Sequence, residues 1–156
     1  MSDAAVVVTA LREAGATIAT AESLTGGLVC STLVDVPGAS DVVRGGIVAY
    51  AADLKASLLG VSDQDITGVG TVHPSIAEQM ALGARERLAV TYAVATTGVA
   101  GPDPSEDHPA GTVFIAVAGP DHVEVRPLQL EGSRAEIRTA TTDAVLDLLL
   151  EHLQQP

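Results

Sequence analysis

Along most of this chain, short β-prone runs pass through glycine-bearing turns into stretches of helical period, and that alternation restricts the fold more than any other feature. Thr17 to Ala21 runs into Glu22-Ser23-Leu24-Thr25-Gly26-Gly27 and then into an apolar helical stretch through Val34. Gly45 to Tyr50 is a second strand candidate and Asp53 to Leu59 a short helix. From Ser75 to Leu88 the apolar positions Ile76, Met80, Ala84 and Leu88 recur every four residues, the spacing of one helix face. Tyr92 to Thr97 reads as a buried strand. Thr112 to Ala118 and His122 to Leu130 flank Gly119-Pro120-Asp121 and suit a hairpin. Helices over Ala4 to Ala14, ended by Gly15, and over Arg134 to Leu153 open and close the pattern. Two starts are open for the Ser75 helix: His73 as cap with Pro74 in the first turn, or Ser75 as cap with Glu78 completing a capping box. Strands alternating with helices, plus one hairpin, predict a three-layer α/β/α sandwich on a mostly parallel, mixed sheet. Ligands of such sheets bind where strands end and helices begin.

The 156 residues suit one domain over 1–156, with neither repeat nor linker. Hydrophobic residues make up 47% of the chain and aromatics only 2%, so its core must be Ala, Val, Leu and Ile packed closely. The net charge of −12, with no basic cluster to offset it, argues against nucleic-acid binding; a single phosphate could still be held locally. The lone Cys30 permits no disulfide and no cysteine-based zinc site, and reads as a core residue. Met1 to Gly15 lacks the basic start of a signal peptide and no apolar run nears a membrane span, so the expectation is a soluble, cytoplasmic protein with no membrane partner.

Three segments could carry chemistry. Ser23 lies in a tight turn where Gly26 and Gly27 allow close approach, and the following helix start, near Thr25, could hold an oxyanion or a phosphate; Ser23 and Thr25 equally suit plain helix caps. Tyr50 ends a strand and Lys55 follows five positions later. A desolvated lysine can act as base to a serine, although most lysines are solvated. Thr96-Thr97-Gly98-Val99-Ala100-Gly101-Pro102 is a strand running into a glycine-bearing loop, without the lysine of a phosphate loop or the spacing of a dinucleotide fingerprint.

Together with the GGIVAYAADLK and LLGV runs, the Gly70 to Met80 segment, GTVFIAV and the Gly132-Ser133-Arg134 to Arg138 region, these segments resemble, in order and over nearly the whole chain, the CinA C-terminal domain family, known also for nicotinamide-nucleotide amidases. The resemblance implies an α/β/α sandwich and a Ser/Lys amidohydrolase. Its substrate would be a small nucleotide, nicotinamide mononucleotide, converted to nicotinic acid mononucleotide and ammonia in pyridine-nucleotide salvage, without metal or cofactor. Ser23 would be the nucleophile, Lys55 its base and Tyr50 an orienting or protonating neighbour. Glu22, Thr25, Gly26, Gly27, Gly46, Thr97, Gly98 and Gly101 are expected to line the substrate. Arg134 and Arg138, one helical turn apart, would face the substrate phosphate or a subunit contact, or form a solvated pair balancing Glu131 and Glu136.

Family members commonly form dimers, and the expectation is a homodimer or higher homo-oligomer. Full-length members carry a further N-terminal domain resembling molybdopterin-binding proteins, for which this length leaves no room. The chain departs from the family pattern at Leu24, at His73 and over Asp103 to His108, an acidic stretch read as a solvated loop in preference to a metal site. Those departures keep an alternative in play: a catalytically silent nucleotide-binding or regulatory module.

Overall fold

The computed structural model describes residues 3–155. Its elements run α1 (Ala4–Glu13), β1 (Ile18–Glu22), α2 (Leu28–Val34), β2 (Val43–Val48), α3 (Ala52–Leu59), α4 (Asp63–Val69), α5 (Pro74–Arg87), β3 (Tyr92–Gly98), β4 (Thr112–Ala118), β5 (Val123–Gln129) and α6 (Arg134–Leu153). The sheet has the order β2-β1-β3-β4-β5. β1 pairs parallel with both β2 and β3, whereas β4 is antiparallel to β3 and β5, so β4 alone opposes the other four strands.

Successive strand side chains point to opposite faces, and here the two faces differ in size. Ile18, Val94, Ile115 and Val117 meet α1, α2 and α6 on one face through Val7, Leu11, Val29, Leu33, Ile137, Val145 and Leu149. The other face is alanine: Ala19, Ala21, Ala93, Ala95, Ala116 and Ala118 lie against Leu59 of α3 and Ile76, Ala77, Met80, Ala81 and Ala84 of α5. The small side chains let α5 lie close to the sheet, which is how a core almost without aromatic rings is filled.

Caps set the helix ends. His73 is the N-cap of α5, its Nδ1 accepting from the Ser75 N–H at 3.1 Å with Pro74 in the first turn, so the first of the two expected starts is the one adopted. Ser133 and Glu136 form a capping box on α6, and Gly15, at φ +64°, follows α1.

Some boundaries differ from expectation. β1 extends to Glu22, and β2 occupies Val43–Val48, leaving Tyr50 beyond its end. β5 starts at Val123, and α4 was not anticipated. Pairing with β1 over Val43 to Val48 sets the limits of β2, and a one-sequence β-propensity does not contain that information. None of the helices among the described residues is long and apolar enough to cross a membrane.

Candidate active site

The chain leaves β1 through α2 to reach β2 on one side, then returns through α3, α4 and α5 to β3 on the other. The strand order therefore reverses at β1, and the crevice beyond the carboxyl ends of β1 and β3 is the place such a sheet offers a ligand. Ser23 stands there, one residue past β1. Its N–H donates to the Thr96 carbonyl of β3 at 3.1 Å, and its carbonyl accepts from the Gly26 N–H at 3.1 Å, closing a turn. Thr96 Oγ1 also meets Thr25 Oγ1 at 2.8 Å, which ties the turn to β3 from below.

Lys55, on α3, is 1% exposed, and its Nζ lies 2.9 Å from Ser23 Oγ. The same nitrogen donates to the carbonyls of Ala49 at 2.8 Å and Tyr50 at 3.1 Å. Burial pushes its pKa down from 10.5 to about 8, while the negative charge of Glu106 opposes that fall. Once deprotonated, the amine has two N–H groups for the two carbonyls, and its lone pair is left facing the serine hydroxyl. The arrangement can therefore take the proton of Ser23 near neutral pH.

Ser23 and Lys55 open into a pocket of about 380 Å³, whose wall also carries Tyr50, Thr97, Gly98, Gly101 and Arg134. The exposed Tyr50 side chain is engaged by α6: its hydroxyl accepts from Arg134 at 3.1 Å, and it is the Tyr50 carbonyl that accepts from Lys55. Arg134 also donates to the Gly101 carbonyl at 2.6 Å. Thr97 Oγ1 donates to the Thr71 carbonyl at 2.7 Å.

Sequence reasoning missed Thr71, Val72, Asp103 and Glu106 as wall residues. Asp103 to His108 is not a free loop. Glu106 accepts from the Thr71 N–H at 2.7 Å and from its hydroxyl, pinning the acidic stretch across the pocket mouth. Gly70, at φ +77°, makes room, since a Cβ there would lie 1.9 Å from a Glu106 carboxylate oxygen. A glycine immediately before Thr71 was the available signal.

Five of the expected substrate-lining residues lie outside the pocket wall. Glu22 is buried beneath the serine turn, with Oε1 accepting from the N–H groups of Gly27 and Val29 and Oε2 from that of Cys30. The helix start expected near Thr25 is at Leu28, and this carboxylate occupies its free amides, so no oxyanion or phosphate can use them. Gly26 and Gly27, at φ +58° and +103°, shape the turn. Gly46 lies on β2 where a Cβ would sit 2.3 Å from Thr20 Oγ1 and 3.3 Å from Cys30, so it allows α2 to pack on the sheet. Thr25 is the fifth, held against Thr96. Arg138 diverges from Arg134: it donates to the carbonyls of Leu24 at 2.9 Å and Thr25 at 3.0 Å, bracing the serine turn from outside.

Comparison with known proteins agrees with this architecture. A CinA-like protein of Frankia casuarinae is 51% identical over 144 residues, covering 92% of this chain and 33% of that protein. One from a Nostoc species is 40% identical over 164 residues, covering 96% and 38%. The chain thus spans about a third of the length of the curated relatives it matches. Among solved structures, the competence/damage inducible protein CihA of Agrobacterium tumefaciens matches with a TM-score of 0.92 at 36% identity, over 99% of this chain and 98% of that one. A CinA superfamily protein of Escherichia coli matches with a TM-score of 0.93 at 28% identity, over 96% and 87%. The model of the CinA C-terminal domain matches residues 2–153, which takes in the serine turn, the lysine helix and both arginines, and the chain therefore belongs to the CinA C-terminal domain family.

Proposed function

We propose that this chain is a nicotinamide-nucleotide amidase that hydrolyses the carboxamide of nicotinamide mononucleotide through a serine acyl-enzyme. The reading rests on one observation above all: a buried lysine, its pKa lowered to about 8 and with no carboxylate among the described residues hydrogen-bonded to its Nζ, lies 2.9 Å from a serine hydroxyl at a strand end. Neutral Lys55 takes the Ser23 proton as Oγ attacks the carboxamide carbon. The proton then passes to the departing nitrogen, ammonia leaves, and water attacks the acyl-enzyme with Lys55 again as base. The donor we assign to the oxyanion is the Leu24 amide, next to the nucleophile and on the pocket wall. Arg134 is the cation placed to read the phosphate, and Tyr50 holds it in position. Neither metal nor cofactor has a role in these steps.

The test is ammonia release from nicotinamide mononucleotide by metal-free protein, with nicotinamide riboside and free nicotinamide as comparison substrates. Release from the mononucleotide alone, abolished in Ser23→Ala, is expected. Undiminished release by Ser23→Ala sinks the Ser/Lys mechanism.

A second reading, a silent nucleotide-binding module, draws on Asp103 and Glu106, which put negative charge on the pocket wall beside Lys55 and Arg134. Thermal stabilisation by the mononucleotide without ammonia release selects it.

A further inference from the structure

At the opposite end of the sheet from Ser23, the last turn of α6 lies over the β4–β5 hairpin. His152 is 6% exposed there, with the Tyr92 ring edge-on at 5.8 Å between centroids and the His122 ring stacked on it at 4.2 Å. Its Nδ1 is buried and has no hydrogen-bond partner among the described residues. That atom faces Glu124 Oε2 at 3.8 Å, beyond hydrogen-bond range. Arg126 orients the same carboxylate by holding Oε1 at 3.3 Å, and is itself tied to Glu151 of α6 at 2.9 Å. His122 and Glu124 are two residues apart on extended chain, so they share a face. One donor atom from each of His122, Glu124 and His152 lies within 4.8 Å of the other two.

Glu124 Oε2 is too distant to satisfy the buried Nδ1 of His152 directly, and a cation held between the two gives both atoms a partner. Two imidazoles and one carboxylate are a donor set for a borderline transition metal and not for magnesium or calcium.

We propose that His122, Glu124 and His152 bind a divalent cation of the zinc class, which staples the β4–β5 hairpin to the end of α6. Tetrahedral ligation at about 2.0–2.2 Å needs donors roughly 3.3–3.6 Å apart, so the cluster must contract. His122, exposed beside the hairpin turn, supplies the movement by leaving its stack on His152. A water completes the fourth position. Metal held this way binds only the native state, and it lies away from the Ser23 pocket, so its effect is on stability and not on turnover.

The experiment uses untagged, chelator-stripped protein: thermal unfolding with zinc chloride, and visible absorption on adding cobalt(II). Zinc at a hundredfold excess over its dissociation constant should raise Tm by roughly 5–10 °C in the wild type. The same rise is expected in His108→Ala, which removes a half-buried histidine elsewhere, while His122→Ala should not respond and should lose the cobalt d–d bands that the wild type shows. An equal rise in wild type and His122→Ala overturns the site, as does a wild type that gives neither a Tm rise nor cobalt bands with millimolar metal.

Discussion

Glu22 and Ser23 are neighbours in the chain whose side chains go to different structures: the carboxylate of Glu22 closes the amino end of α2, and the hydroxyl of Ser23 meets Lys55. A buried acidic side chain therefore anchors the turn that presents Ser23, without lining the pocket.

This arrangement makes Glu22 a stability residue. Glu22→Gln keeps the shape but puts an NH₂ group against backbone donors, so it should lower unfolding stability by about 2 kcal/mol, and Glu22→Ala should cost more. Urea denaturation measures both, and an unchanged midpoint in Glu22→Gln contradicts the assignment.

Lys55 sets a pH dependence in activity and in stability. The proposed mechanism needs the neutral amine, so kcat/KM should rise through an apparent pKa near 8 and then level off. Glu106→Gln removes a charge that holds this pKa up, and should move the rise to lower pH. For stability, the folded value of about 8 lies below the ordinary lysine value of 10.5, so the unfolded chain binds more protons between these limits. Unfolding free energy should accordingly grow as pH climbs from 8 to 10.5, by on the order of 3 kcal/mol from this group. Lys55→Met should abolish activity and remove that part of the slope.

The two arginines of α6 should separate kinetically. Arg134→Met should raise KM for a phosphorylated substrate tenfold or more with a smaller change in kcat, because its guanidinium faces the pocket. Arg138→Met should lower kcat at nearly constant KM, since it braces the carbonyls of Leu24 and Thr25. Equal KM effects from both variants would mean that both guanidinium groups reach the phosphate.

Gly46 and Gly45 form an internal control on β2. Gly46→Ala places a methyl 2.3 Å from Thr20 Oγ1 and should destabilise by about 1–3 kcal/mol as α2 is pushed away. Gly45→Ala meets nothing within 4 Å and should stay within about 0.5 kcal/mol of the parent. Paired thermal melts decide it.

Much of this molecule is determined locally, and that part is legible in the sequence. The alternation of strand and helix periods, the cap at Ser133, the stop at Gly15 and the serine turn after β1 all follow from residues within a few positions of one another. Only the tertiary structure decided what crosses long stretches of chain. It carried Lys55 across 32 positions to Ser23 and buried it there, which is what lowers its pKa. It sent Arg138 to the carbonyl of Leu24 and left Arg134 for the pocket, although the two sit one helical turn apart. It gave the α2 amides to Glu22 and brought Glu106 down on Thr71. A side chain's protonation and its hydrogen-bond partner depend on what surrounds it in space, and one-dimensional spacing does not carry that information.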